Sequence, residues 1–275
     1  MDCRGSLPVL VFVACLLTVP GAGRAHDSSK SRKPAAQQLS NDLARLALHK
    51  VYVPDFLDTS GKQTVLGCFF GASFSKLIDE NAKTFAIASR IEVHRYLAKN
   101  GWGDSDLSNT DVLSKLASEF SLDGILLGVI SSDKGAYTID FAIHDVAGKE
   151  LLRTQYREKI DPVFSANLPV ENEASGGNYY FVGLDGVTTP KCVRCPSPSY
   201  PEGERARKVQ GLVVLSVLVT ASGKADQIYL LKKLDPDLDR EAIDTVSSWR
   251  FEASKIPDGS KVAVRIPIEI TFRLY

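Results

Sequence analysis

The sequence has no excess of charge of either sign. Lysine plus arginine equals aspartate plus glutamate, at 33 each, so no bulk field draws the chain to nucleic acid or to an acidic membrane. We therefore predict no nucleic-acid partner. The four histidines are also too dispersed to form a site. His49, His94 and His144 fall in separate predicted elements without a paired acid, and we predict surface or strand-face positions for them.

Patterns that carry catalytic chemistry are missing as well. The sequence contains no phosphate-binding loop, no Ser/His/Asp arrangement and no cluster with metal-ligand spacing. No acidic pair lies on an apolar face, where a raised pKa would produce a general acid. We therefore expect a protein that is not an enzyme, with no catalytic residues, no metal and no cofactor.

Long apolar runs are rare, and the one present lies at the N-terminus. A positive residue precedes the apolar stretch from Leu7 to Val19, and small residues at 23–25 provide a signal-peptidase site before His26. We predict a signal peptide over residues 1–25. The alternative is an uncleaved anchor, because the uncharged run over residues 5–23 is just long enough to span a bilayer.

The rest of the chain divides into a tether and two domains. Residues 26–40 are polar and predict a flexible tether. Residues 41–160 predict an α/β sandwich domain with a mixed sheet. Its predicted elements are a strand at Lys50–Phe56, a helix with an apolar face from Leu66 to Ile78, a strand at Phe85–Ala88, a helix from Val112 to Phe120, a buried strand at Gly124–Ile130, and an antiparallel meander over Tyr137–Ile143 and Leu151–Tyr156.

This first domain resembles the α/β domain of TolB N-termini and of CsgG- and FlgO-type envelope proteins. The resemblance rests on the opening strand Val51–Phe56, on Ala88-Ser89-Arg90 before a helix, and on Leu122–Gly128 at the entry to the buried strand. It implies a domain that docks or assembles envelope components. It implies no particular ligand.

Residues 161–195 predict a linker that contains a Cys-x-x-Cys motif at Cys192 and Cys195. In an exported protein this motif is typical of a short structural disulfide. A redox-active pair usually lies at a helix N-terminus, and the prolines that follow Cys195 disfavour an immediate helix. A metal site would need two more ligands, which no nearby His or Cys supplies. Cys68, among Leu66 and two phenylalanines, predicts a buried, inert thiol.

Residues 196–275 predict one compact α+β unit with an antiparallel sheet and a packed helix. A short helical lead-in precedes strands at Gly211–Thr220 and Ala225–Lys232 and a helix capped by Asp235. The last strand, Val262–Arg273, alternates apolar and polar residues. Within it Pro267 lacks a backbone N–H and therefore indicates an open sheet edge.

Such an edge has two interpretations. It can accept an extended partner segment, whose backbone supplies affinity, or it can be an edge protected by charge and proline without a partner. We assign the outward residues of the last strand as candidate partner contacts. They are Arg265, Pro267, Glu269, Thr271 and Arg273.

The order of the C-terminal motifs resembles the C-terminal domain of the TonB energy transducers. The motifs are Pro198–Pro201, Gln210-Gly211, Ser222-Gly223, Leu238-Asp239 with Ala242, Trp249-Arg250-Phe251, and Pro267 to Phe272. The resemblance implies a periplasmic domain that captures a segment of a TonB-dependent outer-membrane transporter by strand addition. It also implies inner-membrane, proton-driven motor proteins as further partners. A Cys-x-x-Cys-Pro lead-in is similar to that of some TonB-like proteins, which favours the structural disulfide.

The chain departs from that family outside this region. It has no long proline-rich spacer, and its N-terminal apolar run has no histidine like the motor-coupling one. Three functions follow: a TonB-like transducer tethered to the inner membrane, a periplasmic envelope adaptor without energy coupling, and a thiol redox protein. For the adaptor, the edge strand captures either a peptide or a second copy of the chain as a homodimer.

Overall fold

The structure, a computed structural model, describes residues 12–15, 29–159, 165, 168 and 179–274. The chain forms two compact units, a first unit within residues 24–162 and a C-terminal unit that combines residues 163–275 with the N-terminal 1–23. The predicted mixed α+β class is confirmed. Among the described residues, no helix combines the length and the apolar character that crossing a bilayer requires. The predicted signal peptide lies mostly outside the described residues.

The first unit is an α/β sandwich. After strand β1 (Phe12–Cys15), which belongs to the other unit, its elements are α1 (Ser29–Arg45), β2 (Lys50–Tyr52), β3 (Leu57–Asp58), α2 (Val65–Asp79), β4 (Ala86–Ile87), α3 (Arg90–Lys99), a 3₁₀ helix (Asp104–Ser108), α4 (Thr110–Phe120), β5 (Gly124–Asp133), β6 (Ala136–Asp145) and β7 (Glu150–Lys159). The sheet order is β4-β2-β5-β6-β7, with β3 paired to β5. The first pairs are parallel and β5-β6-β7 is an antiparallel meander, as predicted.

Helices cover both faces of this sheet. Val51 lies in a core with α1 and α2, whereas its neighbour Tyr52 lies in a second core with α3 and α4. Adjacent residues of a strand point to opposite faces, so the two cores occupy the two sides of the sheet. The chain leaves β2 towards one layer and leaves β4 towards the other.

The prediction of a flexible tether over residues 26–40 is wrong from residue 29 onward. Residues 29–45 form α1, which buries Ala36, Leu39 and Leu43 against the first core. Arg32 is also buried, and its Nε donates to Glu158 Oε2 of β7 over 2.9 Å. The segment is mostly polar, but its few apolar residues recur with helical spacing on one face. Burial of that face stabilises the helix.

The C-terminal unit is a sheet with one packed helix. Its elements are β8 (Lys191–Arg194), α5 (Glu202–Ala206), β9 (Gly211–Val219), β10 (Ala225–Lys232), α6 (Pro236–Ser247), β11 (Arg250–Glu252), β12 (Ser254–Lys255), β13 (Lys261–Val262) and β14 (Val264–Phe272). The main sheet has the order β1-β14-β9-β10. Asp235 caps α6 through the N–H of Asp237, as predicted. Leu238, Ala242 and Val246 of α6 are buried, together with Trp249.

The last residues of the predicted linker over 161–195 pack and pair with the C-terminal unit. Val187 is buried, and the Thr188 N–H donates to the Lys255 carbonyl over 2.9 Å. Strand β8 pairs antiparallel with β11. These residues therefore belong to the C-terminal unit, and its sheet contacts extend further towards the N-terminus than the sequence pattern indicated.

Candidate functional site

Strand β14 lies between β9 and the short strand β1 in the main C-terminal sheet. It pairs with β9 in an unbroken antiparallel register, from Val264 opposite Val219 to Phe272 opposite Gly211. On its other side, the described part of the chain places only β1, opposite Ile268 to Thr271. The first four residues of β14 have no strand beside them on that side within the described ranges. An edge of this kind presents backbone donors and acceptors to an incoming strand.

Pro267 fixes which backbone groups face outward. It lies opposite Ser216 in the middle of the ladder with β9. Because proline has no N–H to give to that ladder, its nitrogen is expected to face the open side. N–H groups alternate in direction along a strand, so those of Glu269 and Thr271 face the same side as the Pro267 nitrogen. These outward donors are regularly spaced, and β1 lies opposite Glu269 and Thr271 in this structure.

The opposite edge of the sheet, β10, is irregular. Its pairing with β9 shifts register between Asp226 and Tyr229 and again between Leu230 and Lys232. Gln227 at the first shift has a φ of 40°. Bulges of this kind twist an edge and interrupt the spacing that a new strand needs. The regular side of the sheet is that of β14, beside which the described residues place only the short strand β1.

The predicted contact residues divide into two groups. Pro267, Glu269 and Thr271 are half-buried on the face opposite the buried Ile268, and Arg273 is exposed just beyond the strand. Arg265 differs from the prediction, because only 7% of it is exposed. We therefore remove Arg265 from the outward set.

Arg265 lies across the sheet instead of at its edge. Its Nη1 donates to Ser216 Oγ of β9 and to the Gln227 carbonyl of β10, both over 3.1 Å. Its guanidinium carbon lies 4.8 Å from the centre of the Tyr229 ring. The side chain connects three strands, which alternation alone could not indicate. Its position is that of a structural residue.

Cys192 and Cys195 form a disulfide with an S–S distance of 2.11 Å. Cys192 lies in β8, which pairs with β11, and Cys195 directly follows that strand, so neither cysteine is at a helix N-terminus. The backbone carbonyl of Pro196, next to Cys195, accepts a hydrogen bond from Trp249 Nε1 over 2.9 Å. This setting supplies none of the helix-terminus stabilisation that activates a redox thiol.

A second cluster, in the first unit, was missed in the sequence. Asp104 of the 3₁₀ helix accepts hydrogen bonds from Tyr52 Oη over 3.0 Å and from the Asp55 N–H over 2.9 Å. Its Oδ2 also lies 2.9 Å from His94 Nε2. Asp55 in turn pairs with the guanidinium of Arg90. We refer to Tyr52, Asp55, Arg90, His94 and Asp104 as the polar cluster.

The prediction that the histidines lack acidic partners is wrong. His94 is inside the polar cluster, and His49 Nδ1 lies 3.1 Å from Asp123 Oδ2 on the surface. His144 Nε2 lies 3.9 Å from Glu150 Oε2. His49 and Asp123 are 74 residues apart in sequence, whereas His94 and Asp104 are ten apart and His144 and Glu150 are six apart. Only the fold brings the groups together.

The start of helix α2 determines where Asp55 lies. A Cβ added at Gly71 would lie 2.4 Å from the Pro54 carbonyl oxygen, and one added at Gly67 would lie 1.8 Å from the Phe56 carbonyl oxygen. Glycine therefore lets α2 approach the segment that follows β2. Arg90 follows β4 in the same way that Asp55 follows β2. The two residues meet at the carboxyl ends of neighbouring parallel strands, where the chain turns to opposite layers.

Burial and charge move the pKa values of this cluster. Burial alone would raise the pKa of Asp55, but Arg90 and then His94 hold it below its ordinary 3.8. Burial alone would lower the pKa of His94, but the charge and hydrogen bond of Asp104 raise it above 6.5. Burial and the Asp104 charge raise the pKa of Tyr52 well above 10.0. Burial, followed by the charge of Asp55, raises the pKa of the Cys68 thiol, as expected of an inert cysteine.

The polar cluster is an internally satisfied network. One ligand-type atom from each of Asp55, His94 and Asp104 lies within 4.8 Å of the others. Each atom already has a protein partner, and the Arg90 guanidinium occupies the Asp55 carboxylate. A cation there would have to displace a buried guanidinium, so we assign no metal to this cluster.

Comparison with known proteins identifies the C-terminal region. Residues 196–274 match the family model of the Gram-negative bacterial TonB protein C-terminal. Over 78 residues the chain is 37% identical to Protein TonB of Xanthomonas campestris pv. campestris, an alignment that covers 28% of this chain and 34% of that protein. The chain thus spans about a third of the length of the curated relatives it matches. The predicted TonB-like C-terminal domain is confirmed at this level.

Two solved structures are similar to parts of the chain. The TonB C-terminal domain of Pseudomonas aeruginosa is 26% identical, covers 34% of this chain and 93% of its own, and has a TM-score of 0.29. The LpoB C-terminal domain from Escherichia coli is 12% identical, covers 49% of this chain and 100% of its own, and has a TM-score of 0.39. The resemblance of the first domain to TolB, CsgG and FlgO stays a prediction.

Proposed function

We propose that this chain is a TonB-like periplasmic protein whose C-terminal unit captures an extended segment of an outer-membrane transporter and thereby supports transmembrane transport. The observation that carries the proposal is the regular edge of β14 within a region that matches the TonB C-terminal model. Extended partners bind such an edge as an added strand, with backbone hydrogen bonds as the main source of affinity.

The direction of the outward N–H groups supports strand addition at this edge. The N–H groups of Glu269 and Thr271 are on the side to which the Pro267 nitrogen points. Pro267 itself cannot donate, so a partner strand would gain donors on the C-terminal half of β14 and only acceptors at Pro267. The partner is therefore expected to pair best opposite Ile268 to Phe272, where β1 also pairs in this structure.

The side chains beside the edge define what the partner meets. Glu269 and Thr271 lie half-buried on one face, while Ile268 and Ile270 fill the core on the other. A partner residue placed opposite Glu269 on that face is favoured if it is basic or a hydrogen-bond donor. The core-facing side is already filled, so affinity should depend more on backbone pairing than on a deep pocket.

Energy coupling is a further part of the proposal. It requires the chain to connect the captured segment to proton-driven motor proteins of the inner membrane, and a retained N-terminal anchor would provide that connection. The alternative is an envelope adaptor that binds by the same edge without transmitting force. Mass analysis of the native protein in membrane and soluble fractions separates the two. An intact N-terminus in the inner-membrane fraction favours the transducer, and a soluble chain that begins at His26 favours the adaptor.

Mapping the binding surface tests strand capture itself. A synthetic peptide with the N-terminal box of a TonB-dependent outer-membrane transporter would be added to the ¹⁵N-labelled chain. We expect the largest amide shifts at Glu269 and Thr271, with smaller shifts along β10. Shifts confined to β10 or to the first unit would contradict capture at β14.

A further inference from the structure

The charges of the polar cluster do not balance unless His94 is protonated. The exposed side-chain fractions are 3% for Asp55, 2% for Arg90 and 1% for Asp104, so water screens these charges little. Two carboxylates face one guanidinium in this set. The imidazole of His94, 15% exposed, is within 2.9 Å of Asp104 and 3.9 Å of Asp55. A proton on His94 makes the buried set neutral, and its loss leaves one uncompensated negative charge.

We propose that the imidazolium of His94, on α3, holds the segment of the 3₁₀ helix closed through Asp104, so that this segment opens more readily when His94 loses its proton. Asp104 is the residue through which the fastening works. It connects the 3₁₀ helix to Tyr52, to the backbone of Asp55 and to His94 by three hydrogen bonds. His94 is the one charged donor among the three, so loss of its proton removes the ion pair and leaves the bonds from Tyr52 and from the Asp55 N–H.

The neighbouring groups leave His94 as the group that titrates near neutral pH. From β2, Tyr52 carries a hydroxyl whose pKa lies well above 10.0. From the segment after β2, Asp55 is held ionised by Arg90 of α3. From α2, the Cys68 thiol donates to Asp55 over 2.9 Å and stays protonated. Gln63 also contacts Asp55 and is uncharged. Of these groups, only His94 therefore changes charge between about pH 5 and 8.

The direction of the effect follows from the two states of His94. In the closed state the acids raise the pKa of His94 above 6.5, and in an opened, hydrated state it returns towards 6.5. The fastening is therefore complete below about pH 6.5 and weakens as the pH rises through the higher, closed-state pKa. The segment that would respond includes Trp102, which lies half-buried just before the 3₁₀ helix. Lowering the pH therefore favours the closed state of the 3₁₀ segment, and raising it favours the opened state.

Two measurements on the full chain test whether protonated His94 holds the segment of the 3₁₀ helix closed. Titration of the His94 ring resonances by NMR gives its pKa, which we expect above 6.5. Hydrogen exchange of residues 102–108 between pH 5 and 9, corrected for the intrinsic pH dependence, gives the opening equilibrium. We expect opening to increase with pH by about tenfold for each unit by which the His94 pKa is raised. The increase should follow the titration curve of His94.

Variants separate His94 from the other histidines. His94→Gln should give exchange in residues 102–108 that no longer responds to pH in this range, whereas His49→Gln should behave as the parent chain. A pKa of His94 at or below 6.5, or a pH response that survives in His94→Gln, would overturn the proposal. If His94→Gln does not fold, the parent chain alone still tests the proposal. Exchange of residues 102–108 that does not follow the His94 titration would also overturn the proposal.

Discussion

Pro267 of β14 lies directly opposite Ser216 of β9, in the middle of a nine-residue ladder without a register shift. A residue that cannot donate to the ladder is thus tolerated where its nitrogen faces away from it. The hydroxyl of Ser216 is buried and accepts a hydrogen bond from Arg265. The two residues define the two sides of β14: an inner side paired with β9, and an outer side where, among the described residues, only β1 pairs, opposite Ile268 to Thr271.

Ile268→Ala should destabilise the C-terminal unit. Ile268 is fully buried in the β14–β9 pair, and shortening such a side chain costs about 2–5 kcal/mol because it removes apolar contacts and leaves a cavity. Thermal unfolding of the chain provides the measurement. Glu269→Ala, at the adjacent half-buried position, is the matched control and should cost less than about 1 kcal/mol. Equal losses for the two variants would contradict the assigned faces.

Arg265→Lys should lower stability without weakening the peptide complex. Lysine cannot reproduce both hydrogen bonds to Ser216 and Gln227 or the stacking on Tyr229, and we expect a loss of about 1–3 kcal/mol. Denaturant unfolding and peptide titration of the same variant give the two values. Unchanged stability together with weakened peptide binding would show that Arg265 contacts the partner, contrary to the structural role assigned to it.

Replacing both Cys192 and Cys195 with serine should reduce stability by at most about 2 kcal/mol, because the disulfide closes a very short loop. Peptide affinity should stay unchanged. The same preparations test the redox alternative, since a structural disulfide should show no turnover with a dithiol reductant and a disulfide substrate. Catalytic turnover by the parent chain that the double variant lacks would support the redox protein instead.

The stability of the first unit should fall in acid because of Asp55. The pKa of its carboxyl is below 3.8 in the folded chain, so its contribution is complete above about pH 3.8 and is lost as the pH falls through the folded value. Asp55→Asn should reduce this slope and should cost about 3–5 kcal/mol near pH 6, because the buried Arg90 loses the charge of the Asp55 carboxylate. Unfolding temperatures from pH 2 to 6 provide the test. The exposed Asp79→Asn is the control and should keep the parent slope.

Strands and helices of both units could be predicted where residues close in sequence determine their bounds. Strand β10 was predicted with the observed bounds, because a turn and β-forming residues define it locally. Helix α1 was missed because its stability depends on burial of a narrow stripe and on the Arg32–Glu158 pair, whose residues are 126 positions apart. The composition of the segment could not show this pairing.

The candidate edge could be predicted because Pro267 and the period-two alternation are local signals. The polar cluster could not, since its members come from β2, α3, the 3₁₀ helix and the segments between them. One signal was available. Asp55 lies near the end of the predicted strand Lys50–Phe56 and Arg90 follows the predicted strand Phe85–Ala88, and polar residues at the carboxyl ends of neighbouring parallel strands meet in space.

The most direct test of strand capture compares Thr271→Pro with Thr271→Val in titrations with the transporter-box peptide. Proline removes an N–H expected to face away from β9, on the side where β1 pairs and where an added strand would pair, while valine keeps the N–H and the strand conformation. We predict that Thr271→Pro binds the peptide at least roughly tenfold more weakly than the parent, with little change in unfolding temperature, and that Thr271→Val binds like the parent. Undiminished binding by folded Thr271→Pro would contradict capture along β14.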